Sequence, residues 1–430
     1  MTASSLQVFV EWPHAPLTKS LVIAALKSLD IPFTVLDKLS ERSENKPLLQ
    51  WATYDAIDHE ITFKERELAL SSCYTFRKAL IRKHFLSRTV HSYTTKRPLS
   101  ILKSAIPRTF ELELTFADEL DEMWTDELWE LAAVLDEGNS WWILKPGMAD
   151  RGMGIRLFNS KDGLTTIMEG FEPEDDDGSE KDGASTSVPT SQLRHFVIQE
   201  YIPDPLLMNP TDILSDGPEA KAGFKFHLRA YVVASGIIQV YLYNRVLALF
   251  SSTPYSRPTV ETVDDLSPHL TNTSFQPHHG EENVRLLEEL VGCPVRSREG
   301  RLTQSDVDHI LDQVSNILAE AFQAALQLPV HFQPVHNGFE LYGVDFLVEH
   351  PIQDQGIPGK TYQVKLLEFN AEPAIEMTGP RLRWVLEDLF AGIGKVCVEP
   401  FFGVKKGEWA VGEVKHNFTK CLETQVGAYH

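Results

Sequence analysis

The run Phe224-Lys225-Phe226-His227-Leu228-Arg229-Ala230-Tyr231-Val232-Val233 constrains this chain more than any other stretch. Side chains alternate across a β-strand, so a strand puts Lys225, His227 and Arg229 on one face and aromatic and aliphatic residues on the other. One face is basic and the other meets a core. Ser235-Gly236 predicts a hairpin turn into a return strand over 237–250 that carries Tyr243-Asn244-Arg245. A sheet face with several cations suits a polyphosphate; it equally suits an exposed strand with ordinary surface charges.

Two downstream runs supply acids. Asp345 lies inside the apolar stretch 339–348, where an unpaired carboxylate costs several kcal/mol to bury, so it needs a cation. In 364–373 the even positions are expected to share a strand face, so Glu368 and Asn370 project together. Magnesium takes hard oxygen ligands, and Asp345, Glu368 and Asn370 supply such a set. A buried salt-bridged cluster without function is the competing account. Further pieces fit a nucleotide. Trp141-Trp142-Ile143-Leu144-Lys145-Pro146-Gly147 delivers Lys145 at a strand end, and Arg151-Gly152-Met153-Gly154 offers backbone N–H groups to a phosphate, though plain turns share that pattern. The strand 196–203 runs into a linker whose backbone near Gln199, Glu200, Tyr201 and Ile202 is placed to pair with an adenine edge.

Around these segments the sequence predicts a small α/β lobe: a strand at 6–10, a helix at 17–29 and a strand at 32–36. Residues 111–137 read as acidic and helical, with Leu120, Trp124, Leu128, Leu131 and Leu135 at helical spacing, followed by a strand at 141–144. The stretch 172–192 has almost nothing to bury and predicts a loop, as does 253–280, where His278 and His279 lack partners at metal-ligand spacing. The clearest helix spans 305–327, with Ser305 and Asp308 resembling a capping box; a second amphipathic helix is expected over 382–390. The expected division is 1–100, 101–203 with the acidic loop inside it, and 204–430.

With 430 residues and a formal charge of −21, the exterior repels nucleic acid phosphates, so nucleic acid is not an expected partner. No leader-like segment and no long apolar span are seen, so the expectation is a cytosolic protein without membrane contact. The four cysteines lie far apart and read as reduced packing residues. One basic run opposes the average charge. In 76–86 a helix would turn Leu80, Ile81 and Phe85 inward and Arg77, Lys78, Arg82 and Lys83 outward, either as a solvated face or as a dock for an acidic partner.

Taken in order, Lys145-Pro146, Gln199-Glu200-Tyr201-Ile202, the Lys-x-His-x-Arg strand, Leu270-Thr271-Asn272, Tyr342-Gly343-Val344-Asp345 and Glu368-Phe369-Asn370 resemble the tubulin-tyrosine ligase family of ATP-grasp enzymes, from about residue 70 to 395. The resemblance implies an α/β (α+β) ATP-grasp fold, in which a small N-terminal lobe and central and C-terminal mixed-sheet lobes enclose the nucleotide. It also implies ATP and Mg2+ as cofactors. By matching position, Lys145 and Lys225 hold phosphates, Arg229 organises an acyl-phosphate, Asp345, Glu368 and Asn370 bind magnesium, and Asn272 assists. Arg245 lies near the position of a family arginine that grips the reacting carboxylate, while the ungapped match falls closer to Tyr243. His227 departs from the family pattern, which has aspartate there. The implied reaction joins an amino acid, tyrosine first, to the acidic tail of α-tubulin or a similar protein, by a monomer that docks the tail on 77–83. The alternative is an altered binding module, like fungal processing-body proteins that contact mRNA-decay factors.

Overall fold

Residues 5–147, 154–171, 194–213, 222–271, 281–350, 362–403, 407 and 409–424 are described by the computed structural model. Short apolar strands joined through a helix force parallel pairing at the start of the chain. Strands β1 (Leu6–Phe9), β2 (Phe33–Leu36), β3 (Leu48–Gln50) and β4 (Ala69–Ser71) form a parallel sheet in the order β2-β1-β3-β4, and helix Pro16–Lys27 makes the first crossover.

A second sheet takes the order β5-β8-β6-β7, from β5 (Thr109–Glu113), β6 (Trp142–Pro146), β7 (Arg156–Phe158) and β8 (His195–Glu200), with antiparallel pairing. The expectation of a helical stretch from 111 fails at its beginning. Thr109 to Leu114 alternates with period two, Leu112 and Leu114 are buried, and the run pairs with β8; helices follow only at Leu120–Met123 and Trp129–Asp136.

The largest sheet is built on β10 (Phe224–Ser235). Around it lie β9 (Leu207–Met208), β11 (Gln239–Tyr243), β12 (Leu247–Phe250), β13 (Val284–Leu286), β14 (Phe339–Glu349), β15 (Gln363–Ala371), β16 (Val414–Lys415) and β17 (Phe418–Glu423). The expected return strand is split: β11 and β12 both pair with β10, and the Asn244 N–H between them leaves for the Asn417 carbonyl. Even-numbered β10 residues from Phe226 to Ala234 pack into a core with helix Gln304–Leu326, whereas Tyr231 and Val233 face a second core shared with helix Arg383–Ile393 and the N-terminal sheet. The long helix starts earlier than expected. Thr303 is its cap, accepting from the Asp306 N–H at 3.2 Å while the Asp306 carboxylate accepts from the Thr303 N–H at 2.9 Å.

The basic run does not form one helix. Arg82 is extended (φ −108, ψ 121) and separates Lys78–Ile81 from Lys83–Lys96, whose buried residues join the core of the largest sheet. All four cysteines are free and buried, and among the described residues no helix is long and apolar enough to cross a membrane. The acidic loop 172–192 and the pair His278 and His279 lie outside the described residues.

Candidate active site

Three neighbouring strands place a row of charge on one sheet face. Arg229 on β10 stands opposite Asp345 on β14, and Asp345 stands opposite Glu368 on β15. That last pairing depends on a bulge. Asp345 pairs with Glu368 but Phe346 pairs with Leu366, so Leu367 is the extra residue. The expectation that all even positions of this strand share a face is therefore corrected: Val364 and Leu366 enter the core, and beyond the bulge Glu368 and Asn370 point the other way. Gly343, next to Asp345 on its face, is required by close approach. A Cβ there would come within 2.7 Å of the Pro373 Cβ and 3.2 Å of the Arg229 Cδ.

Asp345 is 2% exposed and receives both forks of Arg229, the Nη2–Oδ2 bond being 2.9 Å. Burial works against the Arg229 charge, yet Asp345 more than offsets it and the guanidinium is held above its usual range. The Asn370 amide nitrogen lies 3.2 Å from Asp345 Oδ2, 3.4 Å from Glu368 Oε1 and 3.3 Å from the Gly343 carbonyl. Burial alone would raise the Glu368 carboxyl, but Lys83, Lys145 and Arg229 outweigh it and lower it to about 2.

The cations come from separate elements. Lys83, at the start of helix Lys83–Lys96, places Nζ 3.1 Å from Glu368 Oε2. Lys145 on β6 donates to Gln199 Oε1 at 2.6 Å, and burial lowers its pKa to about 8. Lys225 on β10 lies 4.4 Å from the centre of the Tyr201 ring and 3.4 Å from its hydroxyl; burial, then Lys145, lower it to about 7. Burial disfavours the charged form of both lysines, and a bound anion would favour it. In the linker, the Glu200 and Tyr201 N–H groups are committed to the Arg108 and Trp141 carbonyls. Among the described residues the Ile202 N–H has no backbone acceptor, so of the linker donors it is the one left for a base edge.

His227 is 2% exposed, with Nδ1 2.6 Å from Thr271 Oγ1 and Nε2 3.6 Å from Asp345 Oδ1. Arg245 sits in the break between β11 and β12, bonded to Glu288 at 3.1 Å, 3.9 Å from Asp388 and over the Trp384 ring; Glu288 and Asp388 are not among the partners found for Arg229, Asp345 or Glu368. Asn272 and residues 151–153 of the glycine-containing stretch fall outside the described residues.

The expectation that Arg77, Lys78, Arg82 and Lys83 all face water is corrected. Arg77, which precedes the Lys78–Ile81 helix, is buried against Glu340, and Lys83, after the break at Arg82, is paired with Glu368; Lys78 and Arg82 stay at least partly exposed. Sequence reasoning thus missed Lys83 as a member of the site. Its only signal was membership of a basic run.

A family model described as "Tubulin-tyrosine ligase family" matches residues 64–405. The chain belongs to the tubulin-tyrosine ligase family. It is 36% identical over 396 residues to the Saccharomyces cerevisiae protein named "Probable tubulin--tyrosine ligase PBY1", covering 87% of this chain and 49% of that protein, so it spans about half of that relative's length. It is 34% identical to the probable tubulin-tyrosine ligase of Schizosaccharomyces pombe, over 93% of both chains. The crystal structure of the C-terminal domain of K. lactis PBY1, described as an ATP-grasp enzyme interacting with an mRNA decapping enzyme, superposes with a TM-score of 0.66 at 28% identity, covering 98% of this chain and 100% of that one. The fold is accordingly that of a tubulin-tyrosine ligase family protein with ATP-grasp architecture.

In this family frame two carboxylates converge, the oxygen ligands magnesium takes, while Asn370 presents its amide nitrogen to them and would have to turn its oxygen toward an ion to join the set. Among the described residues no group of three His, Cys, Asp or Glu is placed to hold a metal ion; Asp345 is bonded to Arg229 and Glu368 is paired with Lys83.

Proposed function

We propose that this chain is an ATP-dependent carboxylate–amine ligase. The observation that carries the reading is the row Arg229, Asp345 and Glu368 with Asn370 beside it, served by Lys83, Lys145 and Lys225 from separate elements. Lys145 and Lys225 bind phosphate oxygens, the Ile202 N–H meets the adenine edge, and Asp345, Glu368 and Asn370 hold magnesium. A magnesium ion there would neutralise charge on the transferred phosphoryl group. A substrate carboxylate attacks the γ-phosphorus, the bond to the ADP oxygen breaks, and Arg229 stabilises the acyl-phosphate. The amine nitrogen then attacks the acyl carbon, loses its proton, and inorganic phosphate leaves. For the substrates we propose an acidic protein tail such as that of α-tubulin and an amino acid, with tyrosine first, in the cytosol.

A second reading is favoured by the K. lactis relative, described as interacting with an mRNA decapping enzyme, and by His227 in place of the family aspartate. It is a binding module with altered catalysis that docks mRNA-decay factors.

The test is mass spectrometry of α-tubulin and other acidic-tailed proteins incubated with the chain, ATP, Mg2+ and labelled amino acids. A mass increment that requires ATP and disappears in Glu368→Gln is expected. Failure of every acceptor, together with no ATP-induced thermal shift, would remove the ligase reading in favour of the module.

A further inference from the structure

We propose that His227 Nε2 is a nitrogen donor to the divalent cation at Asp345, so that this site takes a borderline ion such as Mn2+ in preference to Mg2+. The inference rests on the ligase reading only for placing a cation at Asp345.

His227 is held as a metal-binding histidine is held. Its Nδ1 is engaged by Thr271 Oγ1 at 2.6 Å, which fixes the ring plane and leaves the other nitrogen to ligate. That other nitrogen, Nε2, is buried and has no hydrogen-bond partner among the described residues, an orphan of the kind that a fold retains where something else satisfies it. It points toward Asp345 Oδ1 at 3.6 Å, beyond hydrogen-bond range. Two donors that are each about 2.1 Å from one ion stand roughly 3.0 Å apart at a right angle and about 3.4 Å apart at a tetrahedral one. The observed 3.6 Å is about 0.2 Å beyond the tetrahedral value and about 0.6 Å beyond the right-angle one, a gap that side-chain rotation would close, and a shared ion would take Asp345 Oδ1 from the Arg229 Nε that it now accepts from.

The chemistry around the ring agrees. The groups acting on it are Lys225, Arg229, Asp345 and Glu368, and Thr271 bonds its far side. Magnesium dehydrates reluctantly and takes oxygen, whereas an imidazole in the set moves preference toward Mn2+ and later transition ions.

The experiment uses the full chain grown with heavy-nitrogen histidine, Mn2+ and unlabelled ATP. Free Mn2+ is counted by its paramagnetic resonance amplitude, and spin-echo modulation of the bound ion reports directly attached nitrogen. Expected are Mn2+ binding that is lost in Glu368→Gln, a heavy-nitrogen coupling in the unsubstituted chain, and loss of that coupling in His227→Asp and His227→Asn. Competition should show Mn2+ preferred over Mg2+, with the ratio falling about tenfold in His227→Asp. Bound Mn2+ that depends on Glu368 but shows no histidine coupling, or a coupling that survives both His227 variants, overturns this inference and leaves the ligase reading intact. Failure to hold Mn2+ with ATP overturns both.

Discussion

Strand β14 carries two buried acids on opposite faces, and they have been put to different uses. Glu340 is 1% exposed, and each oxygen meets a fixed donor: Arg77 on one, the Tyr342 hydroxyl at 2.8 Å and the Tyr74 N–H at 3.4 Å on the other. Arg77 is itself closed off, 4.4 Å over the Tyr54 ring. Burial pushes the Glu340 carboxyl up although Arg77 and these hydrogen bonds oppose it. Asp345 is as deeply buried, but its surroundings are unfinished. Lys83, Arg229 and Glu368 keep side-chain exposures of 26%, 16% and 19%, His227 Nε2 is orphaned, and three cationic side chains, Lys83, Lys145 and Arg229, serve two carboxylates. Burial of a charge does not by itself mark function. A matched pair locks a fold, whereas a surplus of one sign with residual access awaits a ligand.

The two clusters are also linked. Glu372, two residues beyond Asn370, accepts from the Tyr54 N–H at 2.7 Å and lies 4.0 Å from Arg77, so the end of β15 is tied to the N-terminal lobe. The closed pair thereby anchors the segment that delivers Lys83 to Glu368.

The contrast can be broken first at its structural end. Arg77→Met leaves Glu340 buried and unpaired and should lower unfolding stability by about 3–5 kcal/mol in denaturant titration, while the stabilisation added by ATP persists. A loss below about 1 kcal/mol would put Glu340 in the same class as an exposed pair. At the functional end, Glu368→Gln should keep the fold and cut ATP-dependent turnover by about 100-fold or more, near 2.7 kcal/mol of barrier; unchanged turnover refutes its role. ATP with Mg2+ at about 100 times its dissociation constant should add about 2.7 kcal/mol to the folded state, and Lys225→Met should abolish that shift.

The smallest effect is on protons. Lys145, lowered from 10.5 to about 8, binds fewer protons folded than unfolded across that window. Stability of the ligand-free protein therefore rises with pH through it, because the unfolded chain is the more protonated state. Phosphate draws the proton back, so ATP binding takes up protons above about pH 7.5 and weakens as pH climbs. Calorimetry in two buffers of different ionisation heat should show this uptake, reduced in Lys145→Arg; equal heats in both buffers would mean the lysine is already charged.

Alternation in 224–233 was enough to put Lys225, His227 and Arg229 on one face, and the apolar run around Asp345 was enough to demand a cation for it. Those are local consequences of strand geometry, legible because a one-residue slip would bury charge. The sequence also determined the long helix from its apolar stripe, missing only which hydroxyl caps it. It could not show that Leu367 bulges and so brings Glu368 opposite Asp345, because register is set by the partner strand. Nor could it separate Arg77 from Lys83, neighbours in one basic run. Only the tertiary structure, by breaking the helix at Arg82 and packing that segment against β14 and β15, sent one cation into a closed pair and the other to the candidate active site. Local pattern fixes which face a side chain takes; which charge meets which is decided by contacts between elements distant in the chain, where the cost of an unpaired buried charge selects the match.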